Sequence, residues 1–236
     1  MKANKFEFPN SFTALPINFQ KSFYKPQPET IVDDQIITIE NFFSEEVCND
    51  LIKAVEKSPA INLETTPLIK SREYAARFND RCSTTDFDAT KSLWSYLQQV
   101  LLNDVGYEDE DLDSIKETFK NAIFLNPQLR MYRYRKGHHF GKHYDESVVC
   151  PLEESSNPPK GRTKWTLLIY LTGGDEFVGG GTIFHPDYRG VKPLNIHPTK
   201  GMALLHKHGD DCLKHEAEIV HKGEKWVLRS DVVYKK

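Results

Sequence analysis

Apolar residues recur at helical spacing in two stretches of the first half, then fall into short blocks through the second half. Val47, Leu51, Ile52 and Val55 repeat on one face up to Lys57. Ser44 stands in front of them as a cap, and Glu45 and Glu46 suit the positive end of a helix dipole. A second stripe, Leu93, Trp94, Leu97, Val100 and Leu101, predicts a helix from Thr90 to Asn103. Ile36 to Ile39 reads as a strand. From Ala122 onward β-type runs recur: Leu129 to Tyr134, Trp165 to Thr172, Thr182 to Phe184, Leu194 to His197, Met202 to His206 and Lys225 to Tyr234. Gly173-Gly174, Gly179-Gly180-Gly181, Pro198, Gly201 and Gly223 punctuate them. Many short strands set off by turns predict a sandwich or barrel. Residues 1–30 lack a period and read as an extended arm packing across the body. The acidic run Glu108 to Asp111 reads as a solvated loop, and Glu153 to Arg162 as a polar loop.

Composition narrows the class. A chain of 236 residues suits one domain, here 31–236 behind the arm, with a β core at about 122–236. Hydrophobic content of 39%, charged content of 28% and a net charge of -3 suit a globular protein and give no general argument for nucleic acid or membrane as partner. The basic cluster Arg130, Arg133, Arg135 and Lys136 lacks aromatics interleaved on its own face, so no nucleic-acid partner is expected. No apolar run is long enough to span a bilayer, and the N-terminus lacks the apolar segment of a signal peptide. Cys48, Cys82, Cys150 and Cys212 are scattered and form no CxxC pair. An intracellular, cytoplasmic protein is the expectation, with the nucleus left open. Oligomeric state is not legible.

Histidine changes the picture. All nine lie between His138 and His221. Histidine is the commonest metal ligand, so metal chemistry belongs in the C-terminal half. In His143-Tyr144-Asp145 the first and third residues project to one face of a strand while Tyr144 points away. His215 can join them. Two imidazoles and a carboxylate on one face of an octahedron are the ligand set of a mononuclear non-haem Fe(II) oxygenase, with three positions open. His206 and His208 form a second HxH, read as a packed or solvated pair because no third ligand is evident. His138 and His139 read as surface or pocket-rim residues, and 153–162, close behind Asp145, as a rim or lid.

The run from Leu129 to Asp145, LRMYRYRKGHHFGKHYD, resembles the HxD strand of the prolyl 4-hydroxylase-like branch of the Fe(II)/2-oxoglutarate oxygenases. WTLLIYLT at 165–172, GGTIF at 180–184 and HEAEIVHKGEKW at 215–226 resemble its next core strand, its GGxT strand and its distal-histidine segment. The ending LRSDVVY at 228–234 is similar to a subgroup with an LRTDV.Y terminus. The resemblance spans roughly residues 125–236. It implies an α+β, mainly β fold: a double-stranded β-helix (jelly roll, cupin-like) with supporting N-terminal helices. It implies His143, Asp145 and His215 as ligands of Fe(II), with 2-oxoglutarate and O2 as cosubstrates and ascorbate as a candidate reductant.

The distal carboxylate of 2-oxoglutarate is costly to bury unpaired and needs a cation. Lys225 is the family-matched candidate; Arg229, four residues along the same face, stands nearly equal. The second cation is left to touch substrate or to pair with an acid such as Asp231 or Glu216. By resemblance Tyr134 and Thr182 add hydroxyls to that carboxylate. Arg81, with Arg72 and Arg77 nearby, and Tyr132 are the candidate substrate contacts. The implied reaction hydroxylates an aliphatic C–H bond of a prolyl or other residue in a peptide or protein. A small-molecule or free amino-acid substrate, a non-catalytic metal-binding barrel, and a cupin-like enzyme using another metal are the alternatives.

Overall fold

The computed structural model describes residues 5–15, 25–65, 75–102, 110–186 and 190–236. The α-helices among these residues are α1 (Asn10–Thr13), α2 (Glu45–Lys57), α3 (Phe87–Leu102) and α4 (Glu110–Phe119). The first strands are β1 (Gln27–Val32), β2 (Ile36–Glu40), β3 (Glu64–Thr65), β4 (Arg77–Phe78), β5 (Asp80–Thr85), β6 (Ala122–Leu125), β7 (Gln128–Tyr134), β8 (His139–His143) and β9 (Val149–Pro151). They are followed by β10 (Lys160–Tyr170), β11 (Phe177–Gly179), β12 (Thr182–His185), β13 (Leu194–Ile196), β14 (Ala203–Lys207), β15 (Lys214–Ala217), β16 (Val220–Gly223) and β17 (Lys225–Lys235).

Among the described residues the major sheet runs β1-β2-β14-β10-β17-β7-β5-β3, with β6 beside β17 and β9 beside β10. The minor sheet runs β13-β12-β15-β8-β4, and β11 pairs β16 in a ribbon. The result is the expected double-stranded β-helix, with helices on the outer face of the major sheet. Period-two alternation explains why both faces of that sheet are buried. Trp165, Leu167 and Ile169 of β10, Leu129 and Met131 of β7, and Trp226 and Leu228 of β17 pack with Leu51, Leu93 and Leu97 of the helices. Their alternates Tyr170, Tyr132, Tyr134 and Val227 face inward, against Phe184 of the minor sheet. Lys225 and Arg229 share that inward face.

Local chemistry sets the helix starts. The Ser44 hydroxyl accepts from the Val47 N–H at 3.3 Å, as expected. α3 begins three residues before Thr90 because the Asp86 carboxylate accepts from the Ala89 N–H at 2.9 Å. The expected last residue of that helix, Asn103, lies outside the described residues, as do Glu108 and Asp109. The solvated-loop reading of the acidic run is corrected at Glu110 and Asp111, which open α4. Ile115 and Phe119, four apart on α4, are buried in the core. The arm contributes Phe6, Phe12 and Leu15 to the same core, and its end at 27–30 is already β1. The lid reading of 153–162 is also corrected. Lys160 to Arg162 belong to β10, and Leu152 to Glu154 line a cleft with Lys5 and Trp94 beside α3.

Candidate active site

The minor sheet brings two histidines side by side. β15 pairs β8 with His215 opposite His143, and Phe184 of β12 flanks His215. Asp145 follows the end of β8, where its N–H donates to the Cys212 thiol at 3.2 Å and its carbonyl accepts from Gly209 at 2.9 Å. Tyr144 points out to solvent, as alternation requires. The ligand atoms of His143, Asp145 and His215 lie within 4.8 Å of one another. Nε2 of His143 is 3.7 Å from Asp145 Oδ1, and Nε2 of His215 is 3.7 Å from Oδ2.

The tautomers are set from behind. His143 Nδ1 donates to the Gly141 carbonyl at 2.8 Å, and His215 Nδ1 donates to the Leu213 carbonyl at 2.9 Å. Each Nε2 lone pair therefore faces the triad. Phe140 stacks on His143 with ring centroids 3.7 Å apart. Burial, and secondarily the neighbouring His215, pushes His143 down to about 4; burial lowers His215 as well. Both rings are neutral at physiological pH, the form that binds metal.

Burial alone would raise the Asp145 carboxyl, but its cationic neighbourhood, Arg229 first, holds it well below the usual carboxylate range. Since burial keeps the nearby imidazoles neutral, Arg229 is the compensating charge. Its fork donates to both oxygens, NH1 to Oδ1 at 3.2 Å and NH2 to Oδ2 at 3.1 Å. Thr166 donates to Oδ2 at 2.9 Å. Behind it, His208 donates from Nδ1 to Thr166 and accepts at Nε2 from Thr163, each at 2.9 Å. Arg229 also reaches Asp231 Oδ1 at 3.2 Å, and Asn126 holds the other Asp231 oxygen at 3.1 Å.

Lys225 occupies the opposite end of the inner cavity. It is 2% exposed and donates to the Gly180 carbonyl at 2.6 Å. Its ammonium lies 5.5 Å from the Tyr134 ring centre and 5.2 Å from that of Tyr170. The Tyr170 hydroxyl pairs with Thr182 at 2.8 Å. Among the described residues no carboxylate forms an ion pair with Lys225, and burial lowers it to about 7. A buried ammonium between two tyrosine rings, with no carboxylate paired to it among the described residues, is a receptor for a carboxylate. Gly180 has φ +68°, a conformation that turns its carbonyl onto Lys225 without the strain a side chain would add.

The sequence-predicted residues thus fall into three groups. His143, Asp145 and His215 converge. Lys225, Tyr134 and Thr182 gather at the closed end, joined by Tyr170, which sequence reasoning did not single out. Arg229, ranked just behind Lys225, lies on Asp145 and Asp231 instead. Four residues on a strand keep a face but travel ~13 Å along it, so the two cations serve opposite ends of one cavity. Arg81 and Tyr132 line an outer groove of about 1060 Å³ that opens onto the triad. Arg77 sits where groove and cavity meet, its guanidinium 4.7 Å from the Tyr132 ring centre and 4.8 Å from that of Phe140. Arg72 lies outside the described residues. Arg133 and Arg135 face the other side of β7, on Asp80. His138, read as a surface or rim residue, is buried against Phe78, and the HxH pair is buried rather than solvated. His206 faces the triad and was not anticipated as part of it.

A donor set of two neutral nitrogens and one carboxylate, open on one side to a cavity with a cation at its end, fits Fe(II) and a dicarboxylic keto acid. Comparisons agree. A sequence model of the 2OG-Fe(II) oxygenase superfamily matches residues 129–230. Among curated proteins none matches. Similar solved structures include the viral collagen prolyl hydroxylase of Paramecium Bursaria Chlorella virus-1 in complex with 2OG, with 19% identity over 85% of this chain and 96% of that one, TM-score 0.53. A Pseudomonas putida prolyl-4-hydroxylase shares 12% identity over 86% and 94% of the two chains, TM-score 0.55. A Trichoplax adhaerens prolyl hydroxylase in complex with a hypoxia inducible factor peptide fragment shares 15% over 85% and 84%, TM-score 0.53. At these identities the structural likeness is one of fold.

Proposed function

Since the chain carries, at residues 129–230, a domain of the 2OG-Fe(II) oxygenase superfamily, and is on that footing a 2-oxoglutarate-dependent Fe(II) dioxygenase, we propose that it hydroxylates an aliphatic C–H bond of a prolyl residue held in a peptide or protein. The observation that carries the reading is the pairing of one triad with one unneutralised cation, Lys225, at the closed end of the same cavity. A bare metal-binding barrel, or an enzyme of another metal, has no use for that buried charge.

Fe(II) bound there would supply the chemistry, oxidation of a C–H bond coupled to conversion of 2-oxoglutarate and O2 to succinate and CO2. The protein's own part is positional. His143, Asp145 and His215 would hold the ion. Arg229 and Thr166 fix the Asp145 carboxylate, so its orientation is set before any ligand arrives. Lys225, Tyr134 and Thr182 receive the distal carboxylate and so align the keto acid toward the triad. Burial of this end excludes water from the charge pair.

The outer groove supports a peptide over a free amino acid. Its 1060 Å³ is several-fold larger than one residue needs, and it extends past Arg77 and Tyr132 to Arg81 and Glu64. Three relatives in fold bear names that say prolyl hydroxylase. No helix among the described residues is long and apolar enough to cross a membrane. The reading places the chain in a reducing compartment such as the cytoplasm, where its four free thiols persist. The test is succinate release and a one-oxygen mass gain on proline-containing peptides, compared with free amino acids. Turnover of amino acids alone refutes the peptide reading. Undiminished turnover in Asp145→Ala refutes the site.

A further inference from the structure

We propose that the substrate is an acidic peptide, in which a carboxylate side chain close to the reacting prolyl residue is received by Arg77 at the mouth of the inner cavity. This rests on the peptide reading above and deepens it by naming the charge the groove selects.

Arg77 lies on β4, which pairs β8 with Arg77 opposite Phe140. Its half-buried side chain lines both the outer groove and the inner cavity. Two contacts hold the guanidinium still. It lies against the rings of Tyr132 and Phe140, 4.7 and 4.8 Å from their centres, and its Nε donates at 3.0 Å to Oδ1 of the buried Asn79. Rings and amide carbonyl orient the cation without neutralising it. Among the described residues no carboxylate pairs with Arg77, and its two terminal nitrogens have no hydrogen-bond partner. Those nitrogens form the edge of the fork that matches a carboxylate bidentately. Phe140 in turn stacks on His143 at 3.7 Å, so the guanidinium stands one ring away from a ligand imidazole. A carboxylate held there belongs to a residue roughly one to three positions from the oxidised one in an extended chain.

The other charges around the site are accounted for. Arg229 sits on Asp145 and Asp231, Arg130 reaches Asp231 at 3.6 Å, and Glu216 of the inner cavity is held by His185 at 2.8 Å. Lys225, at the closed end, serves the distal carboxylate of 2-oxoglutarate. Arg77 is the cation beside the triad that protein and cosubstrate both leave unmatched, so the countercharge falls to the substrate. The groove continues the sign. Arg81 and Lys142 line it, exposed and without an ion pair among the described residues. Its acids beyond the triad, Glu64 and Glu146, are exposed, and neither pairs with Arg77; Glu64 stands opposite Arg81 in the β3–β5 register. A neutral peptide leaves the fork unused. An acidic one pairs it in a mouth partly screened from water, where a charged hydrogen bond is stronger than on open surface.

The test is turnover of paired peptides by the full Fe(II)-loaded chain. Each pair has one central proline and carries either Glu or Gln at one of about three positions on either side. The kcat/KM of the best Glu peptide should exceed that of its Gln twin by about tenfold or more, chiefly through KM. The ratio should fall to within about twofold in Arg77→Gln and recover in part in Arg77→Lys. Equal turnover of Glu and Gln peptides by the wild type overturns this inference and leaves the peptide reading standing. No turnover of any peptide overturns both. A preference that survives Arg77→Gln takes the carboxylate away from Arg77. So does a 2-oxoglutarate KM that rises in that variant as steeply as the peptide KM, since it gives the guanidinium to the cosubstrate. The wild-type ratio is read without any variant, so the inference stays exposed to refutation even if Arg77→Gln folds poorly.

Discussion

Replacing Lys225 by Met keeps a long buried stem and removes the charge, and it should make the empty protein more stable while crippling cosubstrate binding. The ammonium falls from its ordinary 10.5 to about 7 on folding because it is fully buried. The unfolded chain then binds the proton more tightly than the folded one. The penalty is present in full below pH 7 and disappears as pH rises from about 7 to 10.5. At pH 6 it amounts to ~4–5 kcal/mol. Met relieves that but leaves the Gly180 carbonyl without its donor, which costs about 1–3 kcal/mol. The net gain is about 2 kcal/mol, or ~4–8 °C in Tm for a chain of this size. In the loaded state the sign reverses. Stranding a buried carboxylate costs about 2–5 kcal/mol, which weakens 2-oxoglutarate roughly 30-fold to a few thousand-fold. Thermal unfolding of the metal-free protein at pH 6, and anaerobic calorimetric titration of 2-oxoglutarate into Mn(II)-loaded protein, measure the two effects. A variant that binds 2-oxoglutarate within threefold of wild type would refute the assignment of Lys225.

The same lysine gives a pH signature: 2-oxoglutarate affinity should be flat below pH 7 and fall by up to about tenfold per unit above it, as binding comes to require proton uptake; titrations at pH 6, 7 and 8 check this. Arg229→Lys loses the fork on Asp145, so metal affinity should drop about 10–100-fold in a chelator competition while the fold persists; unchanged affinity would remove Arg229 from the centre. Burial lowers His143, His206 and His215, so the unfolded chain binds more protons below pH 6.5 and the metal-free protein should lose stability from there downward, for His143 until about pH 4; an equal Tm at pH 7 and pH 5 would contradict it.

The order of residues along the chain determined the β class, both edges of α2, and the three residues that converge as candidate metal ligands. These are local or periodic signals: a capping serine before a stripe, two residues apart on a strand, a histidine followed at fixed distance by a basic strand. Lys225 and Arg229 shared a face on sequence grounds, and only the family-matched position put Lys225 slightly ahead. Tertiary structure separated them, because distance along β17 put one beside Gly180 and the other beside Asp145. Tyr170 and His206 were equally illegible. Each is one inward residue on a strand that looks like ordinary core, and only the closure of two sheets onto each other decides what it faces. α4 was missed for another reason: Leu112, Ile115 and Phe119 do stand at helical spacing, but the acidic run at its start reads as a solvated loop. Chemistry written in neighbouring residues is readable in one dimension, whereas chemistry assembled across strands exists only once the barrel has formed.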